Sequence, residues 1–225
     1  MIRKITGYDL GVFMNGKLIV IEGVEGSGKT TQVAAIADWL RSHQSRKVIT
    51  TREPGGTSLG KYLRQLLLQE EGIQLYNRTE LCLYAADRIQ HLEEIIKPAL
   101  AQGMIVVCDR FTASTIAYQG YGRGLDQDLI AQFNNLATQG LQPHLTLWLS
   151  LDVQVGLERV QLRGERDRLE KADLAFHQRV QQGYQELANQ NPETFIAIDA
   201  HQPPELVTRS IQRILQAQKI ISSFV

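Results

Sequence analysis

Glycine, lysine and threonine occur between residues 23 and 30 at a spacing that could bind a chain of phosphates: the stretch reads Gly-Val-Glu-Gly-Ser-Gly-Lys-Thr. Glycines let the backbone curl around an anion with its N–H groups pointing inward, the lysine reaches the outer phosphates, and the hydroxyl ligates magnesium. An apolar run precedes this stretch and a helical pattern follows it, as the mechanism requires. The sequence therefore predicts a nucleoside triphosphate site at Gly23, Val24, Glu25, Gly26, Ser27, Gly28, Lys29, Thr30 and Thr31.

A carboxylate and a guanidinium, Asp109 and Arg110, directly follow a second apolar run at residues 104–108. If that strand lies beside the first, Asp109 would hold magnesium or its waters, and Arg110 would bind a phosphate of the second substrate by charge-assisted hydrogen bonds. A solvated ion pair at the end of a strand is the alternative. Glu25 could also serve the metal region, although a solvated surface position is favoured for it.

Two further clusters have the chemistry to bind a planar base. Tyr84 and Arg88 are four residues apart in a helical pattern over residues 77–100, so they share one face. An aromatic ring beside an arginine suits a base, but a core tyrosine and a surface arginine would be the commoner outcome. Thr115, Tyr118 and Gln119 could contact a base edge and a sugar, or could simply belong to a capped helix. Both interpretations stay open on these residues alone.

Charged side chains also concentrate in two irregular segments. Residues 51–56, Thr-Arg-Glu-Pro-Gly-Gly, form a turn that aims polar side chains or has a purely structural role. Residues 163–173 carry Arg163, Arg166 and Arg168. A charged run of this kind is usually a solvated face. The alternative is a hinged lid that carries arginines onto a transferring phosphoryl group.

The elements that must position these residues follow from hydrophobic periodicity. Five short apolar runs predict strands at residues 18–21, 47–51, 104–108, 145–151 and 194–198, and segments of helical period separate them. Strands that are apolar along their length, alternating with amphipathic helices, predict an α/β fold, a three-layer doubly wound parallel sheet. Helix starts are predicted at Thr57, at Asn77 with Glu80 three residues on, at Asp126, at Asp152 and at Pro203-Pro204.

Composition limits the classes of partner. The chain has 225 residues, with 24 Lys plus Arg against 24 Asp plus Glu, so no broad field attracts nucleic acid or an anionic membrane. Cys82 and Cys108 are predicted to be core residues in a reducing compartment. No apolar run approaches the length of a spanning helix, and we expect a cytoplasmic protein. Residues 1–16 are predicted to be an N-terminal extension, and residues 17–225 a single domain.

Four stretches occur in the order and approximate spacing of one family: residues 21–31, residues 51–56, Asp109-Arg110-Phe111, and residues 117–124. On these motifs the chain resembles the thymidylate kinases from residue 17 to residue 216. The resemblance implies transfer of the γ-phosphoryl group of ATP to dTMP, with magnesium, on a five-stranded parallel sheet of the P-loop type and within a homodimer. Two alternative functions are a kinase for another nucleotide and a nucleotide-gated switch protein. The sequence lacks the Asn-Lys-x-Asp motif that such a switch protein uses to bind guanine.

The resemblance also implies roles for the residues that could bind a base. Tyr84 would stack on thymine, and Arg88 would donate to a thymine carbonyl. Thr115 and Gln119 would approach the remaining base edge, and Tyr118 would approach the sugar.

The same resemblance assigns the phosphate and metal groups. Arg64 and Arg110 would hold the acceptor phosphate. Glu53 and Asp109 would act around the sugar hydroxyl and magnesium, with Thr30 as the hydroxyl ligand of the metal.

Members of this family carry the catalytic arginine either inside the phosphate loop or in the lid. The loop position is Gly26 in this chain. The resemblance is therefore to the bacterial lid-arginine type, in which Arg163, Arg166 and Arg168 take over the task.

Overall fold

The computed structural model describes residues 15–68, 72–164, 166–218 and 220. Five parallel strands form one sheet in the order β2-β3-β1-β4-β5. Each predicted apolar run overlaps one strand, which confirms the predicted fold class. The strands are β1 (Lys17–Gly23), β2 (Val48–Arg52), β3 (Ile105–Asp109), β4 (Leu145–Ser150) and β5 (Phe195–Asp199).

Helices connect the strands and cover both faces of the sheet. Among the described residues they are α1 (Lys29–His43), α2 (Ser58–Leu68), α3 (Asn77–His91), α4 (Lys97–Ala101), α5 (Thr112–Thr115), α6 (Gln127–Thr138), α7 (Val153–Arg163), α8 (Leu174–Gln190) and α9 (Pro204–Ala217). Two segments have π-helical hydrogen bonding, Leu92–Ile96 between α3 and α4 and Ile116–Gly122 after α5. No helix in the described part of the chain is long and apolar enough to cross a membrane.

The central strand β1 is buried on both faces, which is why its sequence is apolar without alternation. Leu18 and Val20 pack in one core cluster with the segment that links α3 to α4. Ile19 and Ile21 pack in the other cluster, which includes the buried face of α1. In the register of β1 with β3, Ile21 lies opposite Asp109. The phosphate loop and Asp109 therefore leave the sheet side by side, as the sequence predicted if these strands were neighbours.

Most of the predicted helix starts are correct. Gly60 donates its backbone N–H to Thr57 Oγ1, Leu129 donates to Asp126 Oδ1, and Gln154 donates to Asp152 Oδ1. Pro203 precedes α9 as predicted. Helix α3 begins at Asn77 as predicted, although Tyr76 is the N-cap residue and the side-chain Nδ2 of Asn77 donates to the carbonyl of Arg123.

Three further predictions need correction or lie outside the described residues. The continuous helix expected over residues 77–100 is divided by the π-helical segment at 92–96. Cys108 is buried, but Cys82 is exposed, because it lies on the face of α3 that turns away from the sheet. Of the predicted N-terminal extension, residues 1–14 lie outside the described residues, whereas Gly16 donates its backbone N–H to Leu100 and belongs to the fold.

Candidate functional site

A cavity of about 350 Å³ opens where the carboxyl ends of the strands meet. Open α/β sheets bind ligands at this edge, and the volume suits a small-molecule site. The cavity lining brings together most of the residues that the sequence predicted. They are Glu25, Gly26, Gly28, Lys29, Thr30, Thr31, Glu53, Arg64, Tyr84, Arg88, Asp109, Arg110, Thr115, Tyr118, Gln119 and Arg163.

The phosphate loop has left-handed backbone conformations at two of its glycines. Gly26 and Gly28 have φ angles of 72° and 91°, in the left-handed region that favours glycine, and Gly28 is the N-cap of α1. Lys29 Nζ lies across the loop and donates to the carbonyls of Gly23 at 3.1 Å and Val24 at 2.8 Å. Burial and the nearby charge of Arg110 lower the pKa of Lys29 to about 8. The loop thus presents a cation and the N-terminus of a helix to one side of the cavity, where an anion is favoured.

No side chain fits at the loop position Gly26. A Cβ built there would lie 2.2 Å from the carbonyl oxygen of Gly156 in α7. The facing residue Gly156 is restricted in the same way, because a Cβ there would lie 2.4 Å from the carbonyl oxygen of Glu25. Helix α7 and the phosphate loop therefore touch backbone to backbone.

Thr30 and Asp109 have the arrangement of a hydroxyl and carboxylate pair that holds a divalent cation. Thr30 Oγ1 lies 3.3 Å from Asp109 Oδ2. Asp109 Oδ1 is buried and has no hydrogen-bond partner among the described residues. A buried carboxylate oxygen without a partner is unfavourable unless a ligand completes its bonding. The described residues hold no group of three or more His, Cys, Asp or Glu that could bind a metal, so phosphate and water oxygens would have to complete the coordination.

The third metal-region residue of the sequence prediction, Glu53, sits differently. Its carboxylate is only 3% exposed and accepts from Arg88 Nε at 2.7 Å and from His91 Nδ1 at 2.8 Å. Burial raises the pKa of Glu53, but the charges of Arg88 and His91 outweigh it and hold the pKa below its usual value. Both carboxylate oxygens are committed to these partners. The geometry therefore favours Glu53 as a group that orients Arg88, rather than as a metal ligand.

Arg110 is held in a polar cage between the phosphate loop and α8. Its guanidinium donates to Glu25 Oε1 at 2.8 Å, to the hydroxyls of Tyr118 and Tyr184, and to Ser114 Oγ. Its backbone has a φ of 69°, an uncommon value for a non-glycine residue. The hydroxyl of Tyr118, which the sequence predicted beside a sugar, also donates to the carboxylate of Glu25. Glu25 is thus a buried partner of Arg110 and not the solvated surface residue that was favoured.

A second pocket wall comes from the buried face of α3. Tyr84 lines the cavity, and Arg88 one turn further on is 3% exposed. Besides Glu53, Arg88 donates to Thr115 Oγ1 at 2.9 Å, to Asn134 Oδ1 at 2.8 Å and to the carbonyl of Phe111 at 3.0 Å. This set of acceptors fixes the guanidinium plane. Arg88 is therefore a buried, immobilised donor, not the surface arginine that was the commoner expectation.

The amide of Gln119 closes the same wall. Its Nε2 donates to Glu80 Oε1 at 2.8 Å. Glu80 also pairs with Arg123 and with Arg168. The Nη2 atom of Arg168 lies 2.6 Å from Glu80 Oε2. Burial raises the pKa of Glu80, but the charge of Arg123, the hydrogen bond from Gln119 and the charge of Arg168 together hold it below its usual value. Glu80 is thus a buried, ionised group behind the cavity wall, bonded to Gln119, which lines the cavity.

Only one of the three predicted lid arginines lines the cavity. Arg163, at the end of α7, pairs with Glu170 at 2.6 Å. Arg166 is exposed and does not line the cavity. Arg168 is tied to α2 and α3, because it donates to the carbonyl of Leu67 as well as to Glu80. Among these three arginines the geometry therefore favours Arg163, and its role at the phosphoryl group stays a prediction.

The remaining predicted phosphate group, Arg64, lines the cavity from α2 and donates to the carbonyl of Pro54 at 3.0 Å. Burial and the neighbouring charge of Arg52 lower the pKa of Arg64. Gly55 lets this side chain approach, since a Cβ there would lie 3.0 Å from Arg64 Cδ. Arg64 and Arg110 thus reach the cavity from different elements.

Sequence reasoning missed several residues of the site. Arg159, one turn before Arg163, lines the cavity, and the helical spacing of the two arginines was the available signal. His91, for which the sequence left a structural or a solvent-facing position open, has the structural one: it is buried and bonded to Glu53. Glu22 gave no signal, because it reads as the end of a strand. It is fully buried, and it accepts from the backbone N–H of Phe111 and from the hydroxyl of Tyr184.

Comparison with known proteins finds relatives that match about nine-tenths of the chain. A family model described as thymidylate kinase matches residues 21–211. The thymidylate kinase of Trichodesmium erythraeum is 53% identical over 222 residues, which cover 92% of this chain and 98% of that protein. That of Nostoc punctiforme is 53% identical over 205 residues, covering 90% and 97%. A crystal structure of thymidylate kinase from Ehrlichia chaffeensis is similar with a TM-score of 0.74 at 34% identity, covering 89% and 98%.

Proposed function

The chain belongs to the thymidylate kinase family, and from that premise we propose how its residues carry out the reaction. The enzyme transfers the γ-phosphoryl group of ATP to dTMP and forms ADP and dTDP, a step of dTTP synthesis. The observation that carries the assignment is that two sets of groups line one cavity. Lys29, Thr30 and Asp109 come from helix α1 and the end of strand β3, and Tyr84 and Arg88 come from helix α3.

On the donor side, the phosphate loop binds the triphosphate of ATP. The backbone N–H groups of residues 23–31 and the ammonium of Lys29 surround the phosphates. We propose magnesium as the cofactor, held by the hydroxyl of Thr30 and the carboxylate of Asp109; the unpartnered Asp109 Oδ1 supports this. When bound, the ion neutralises charge on the phosphate oxygens.

On the acceptor side, Arg110 and Arg64 hold the phosphate of dTMP by charge-assisted hydrogen bonds. Tyr84 packs on the base, and Arg88 donates to a base carbonyl while Glu53 orients it. Thr115, Gln119 and Tyr118 line the cavity. In this proposal Thr115 and Gln119 contact the rest of the base edge, and Tyr118 contacts the sugar. This wall aligns the acceptor phosphate with the donor.

Phosphoryl transfer has a loose transition state, so alignment and positive charge account for most of the catalysis and no general base is assigned. We propose Arg163 as the lid arginine that reaches the transferring group, because it lines the cavity from the end of α7. An arginine in the phosphate loop is sterically excluded at Gly26. Arg168 holds the lid segment against helix α3 through its bond to Glu80.

The reaction is tested with a panel of nucleoside monophosphates, each mixed with the protein, ATP and magnesium. We expect diphosphate to form from dTMP, and to be lost when EDTA removes the metal. One methyl group in an apolar pocket is worth about 1–3 kcal/mol, so dUMP should be a poorer substrate by roughly tenfold to a hundredfold. Equal kcat/KM for dTMP and dUMP would contradict a methyl pocket. Faster turnover of a purine monophosphate than of dTMP would contradict the assigned acceptor.

We further propose a homodimer. Helices α2 and α3 pack together, and their outer faces expose Leu59, Tyr62, Cys82 and Ile89. Large apolar side chains exposed on two packed helices are typical of an interaction face. Light scattering is expected to give twice the chain mass of 25.3 kDa, and a concentration-independent monomer would contradict the proposal.

We propose the cytoplasm as the location of the protein. The two free cysteines support this, and cell fractionation tests it.

A further inference from the structure

We propose that Glu80 determines base specificity by fixing the orientation of the Gln119 side-chain amide. This residue touches no substrate itself and is a positioning residue. It selects a pyrimidine that carries an N–H between two carbonyls over one whose ring nitrogen is unprotonated. The inference rests on the proposed function and deepens it, because it concerns how the acceptor pocket chooses its base.

The hydrogen bonds of Glu80 establish its ionisation state. The residue is 1% exposed, and its carboxylate accepts from Gln119 at 2.8 Å, from Arg123 Nε at 3.3 Å and from Arg168 at 2.6 Å. Two guanidinium groups around one buried carboxylate favour the charged form. An ionised carboxylate has no hydrogen to donate and can only accept. Whatever faces Glu80 must therefore be a donor.

The ionised carboxylate of Glu80 decides which end of the Gln119 side-chain amide faces the base. A glutamine amide presents NH₂ at one end and a carbonyl oxygen at the other, and it can reverse by rotating about its last bond. Glu80 forces the NH₂ end toward itself. The carbonyl Oε1 has no hydrogen-bond partner in the part of the chain that the structure describes, and Gln119 lines the acceptor pocket. The amide consequently offers an acceptor to the bound base.

The neighbouring groups offer donors. Arg88 can only donate, whatever surrounds it. Thr115 Oγ1 accepts from Arg88, so its own hydroxyl hydrogen is available. A wall with donors at Arg88 and Thr115 and an acceptor at Gln119 matches a ring with an N–H between two carbonyls. A 4-aminopyrimidine reverses the pattern at the ring nitrogen and at the amino group. The Thr115 hydroxyl can adapt to either base, because it keeps a second lone pair besides its hydrogen. Gln119 could adapt only by reversing its amide, and Glu80 prevents that.

Glu80→Gln tests the inference, because the new amide can donate as well as accept and lets Gln119 reverse. The probes are dTMP and 5-methyl-dCMP, which keep the same methyl group, sugar and phosphate. We measure the ratio of kcat/KM for the two nucleotides, which is independent of the fraction of folded enzyme. A mispaired buried polar group costs enough that the preference for dTMP should fall at least about tenfold.

Two control variants separate the loss of the Glu80 acceptor from the loss of any carboxylate charge and from the loss of the contact between Glu80 and Arg168. Glu94→Gln changes an exposed glutamate that likewise accepts from a glutamine, Gln90, and should leave the ratio unchanged. Arg168→Gln removes the lid contact but retains the bond between Glu80 and Gln119; it should lower kcat and leave the ratio unchanged.

The outcomes distinguish failure of the inference from failure of the proposed function. A wild-type enzyme that does not phosphorylate dTMP refutes both. A wild-type preference that persists in Glu80→Gln, even with slower turnover of both nucleotides, refutes the inference alone and leaves Glu80 a structural role. A ratio that falls equally in Arg168→Gln also refutes it, because selectivity would then follow the charge or the lid.

Discussion

Replacement of Lys29 by alanine is expected to lower kcat by at least about a thousandfold. The ammonium lies within the phosphate loop, bonded to the carbonyls of Gly23 and Val24, and faces the cavity. Its charge acts on the transferring phosphoryl group in a site that excludes much of the water, where such a group stabilises the transition state strongly. Steady-state kinetics at saturating ATP and dTMP measure the loss. Lys47→Ala, at an exposed lysine, is the matched control and should retain wild-type kcat.

The same lysine predicts a pH dependence of ATP binding. The pKa of Lys29 in the empty site is about 8, so the ammonium is charged below that pH and loses its proton above it. Bound phosphates favour the charged form and raise this pKa. ATP binding should therefore take up a proton at about pH 9 and almost none at about pH 6.5. Calorimetry in two buffers of different ionisation enthalpy measures the uptake. Equal heats in both buffers at about pH 9 would contradict the assignment.

The strands could be predicted because the composition of their apolar runs indicates both a β-strand and its burial on both faces of the sheet. Residues 18–21 and 104–108 are short apolar runs without alternation and are rich in β-branched residues, as is typical of a strand buried on both faces. Once these strands are parallel neighbours, the residues that follow them must meet at one edge. This is why Lys29, Asp109 and Arg110 could be assigned to one site from the sequence alone. The π-helical segment at 92–96 has no such local signal.

The buried ion pairs of the acceptor pocket could not be predicted in the same way. Glu80 is three residues into a helix, where an acidic side chain is common for reasons of capping and dipole alone. Its partners Gln119, Arg123 and Arg168 come from segments 39 to 88 residues away. Local pattern gives no account of contacts at that separation. A surface arginine was the better expectation for Arg88 for the same reason, since its four acceptors come from distant loops and helices.

Arg110 has two roles that the structure makes separable, one toward the acceptor phosphate and one toward the buried carboxylate of Glu25. The side chains are 16% and 10% exposed. Burial raises the pKa of Glu25, but the charges of Arg110 and Lys29 outweigh it and hold that pKa below its usual value. Loss of the arginine would therefore leave Glu25 without its ion-pair partner, with the more weakly acting charge of Lys29 and the hydroxyl of Tyr118 nearby. The substitution Arg110→Ala should affect folding as well as catalysis.

We expect Arg110→Ala to lower kcat/KM for dTMP by at least about a thousandfold, because the acceptor phosphate loses its positioning cation. The free energy of unfolding, measured with urea, should fall by about 3 kcal/mol, as for other buried pairs that lose one partner. Arg41→Ala, which breaks an exposed pair with Asp38, should change it by less than about 1 kcal/mol.

Adding Glu25→Gln to Arg110→Ala removes the unpaired charge, so stability should return toward the wild-type value while kcat/KM stays low. The two measurements then separate the roles, because only the catalytic one requires a cation beside the acceptor phosphate. If the double variant regained activity together with stability, Arg110 would serve only to pair with Glu25. The acceptor phosphate would then depend on Arg64 as its cation.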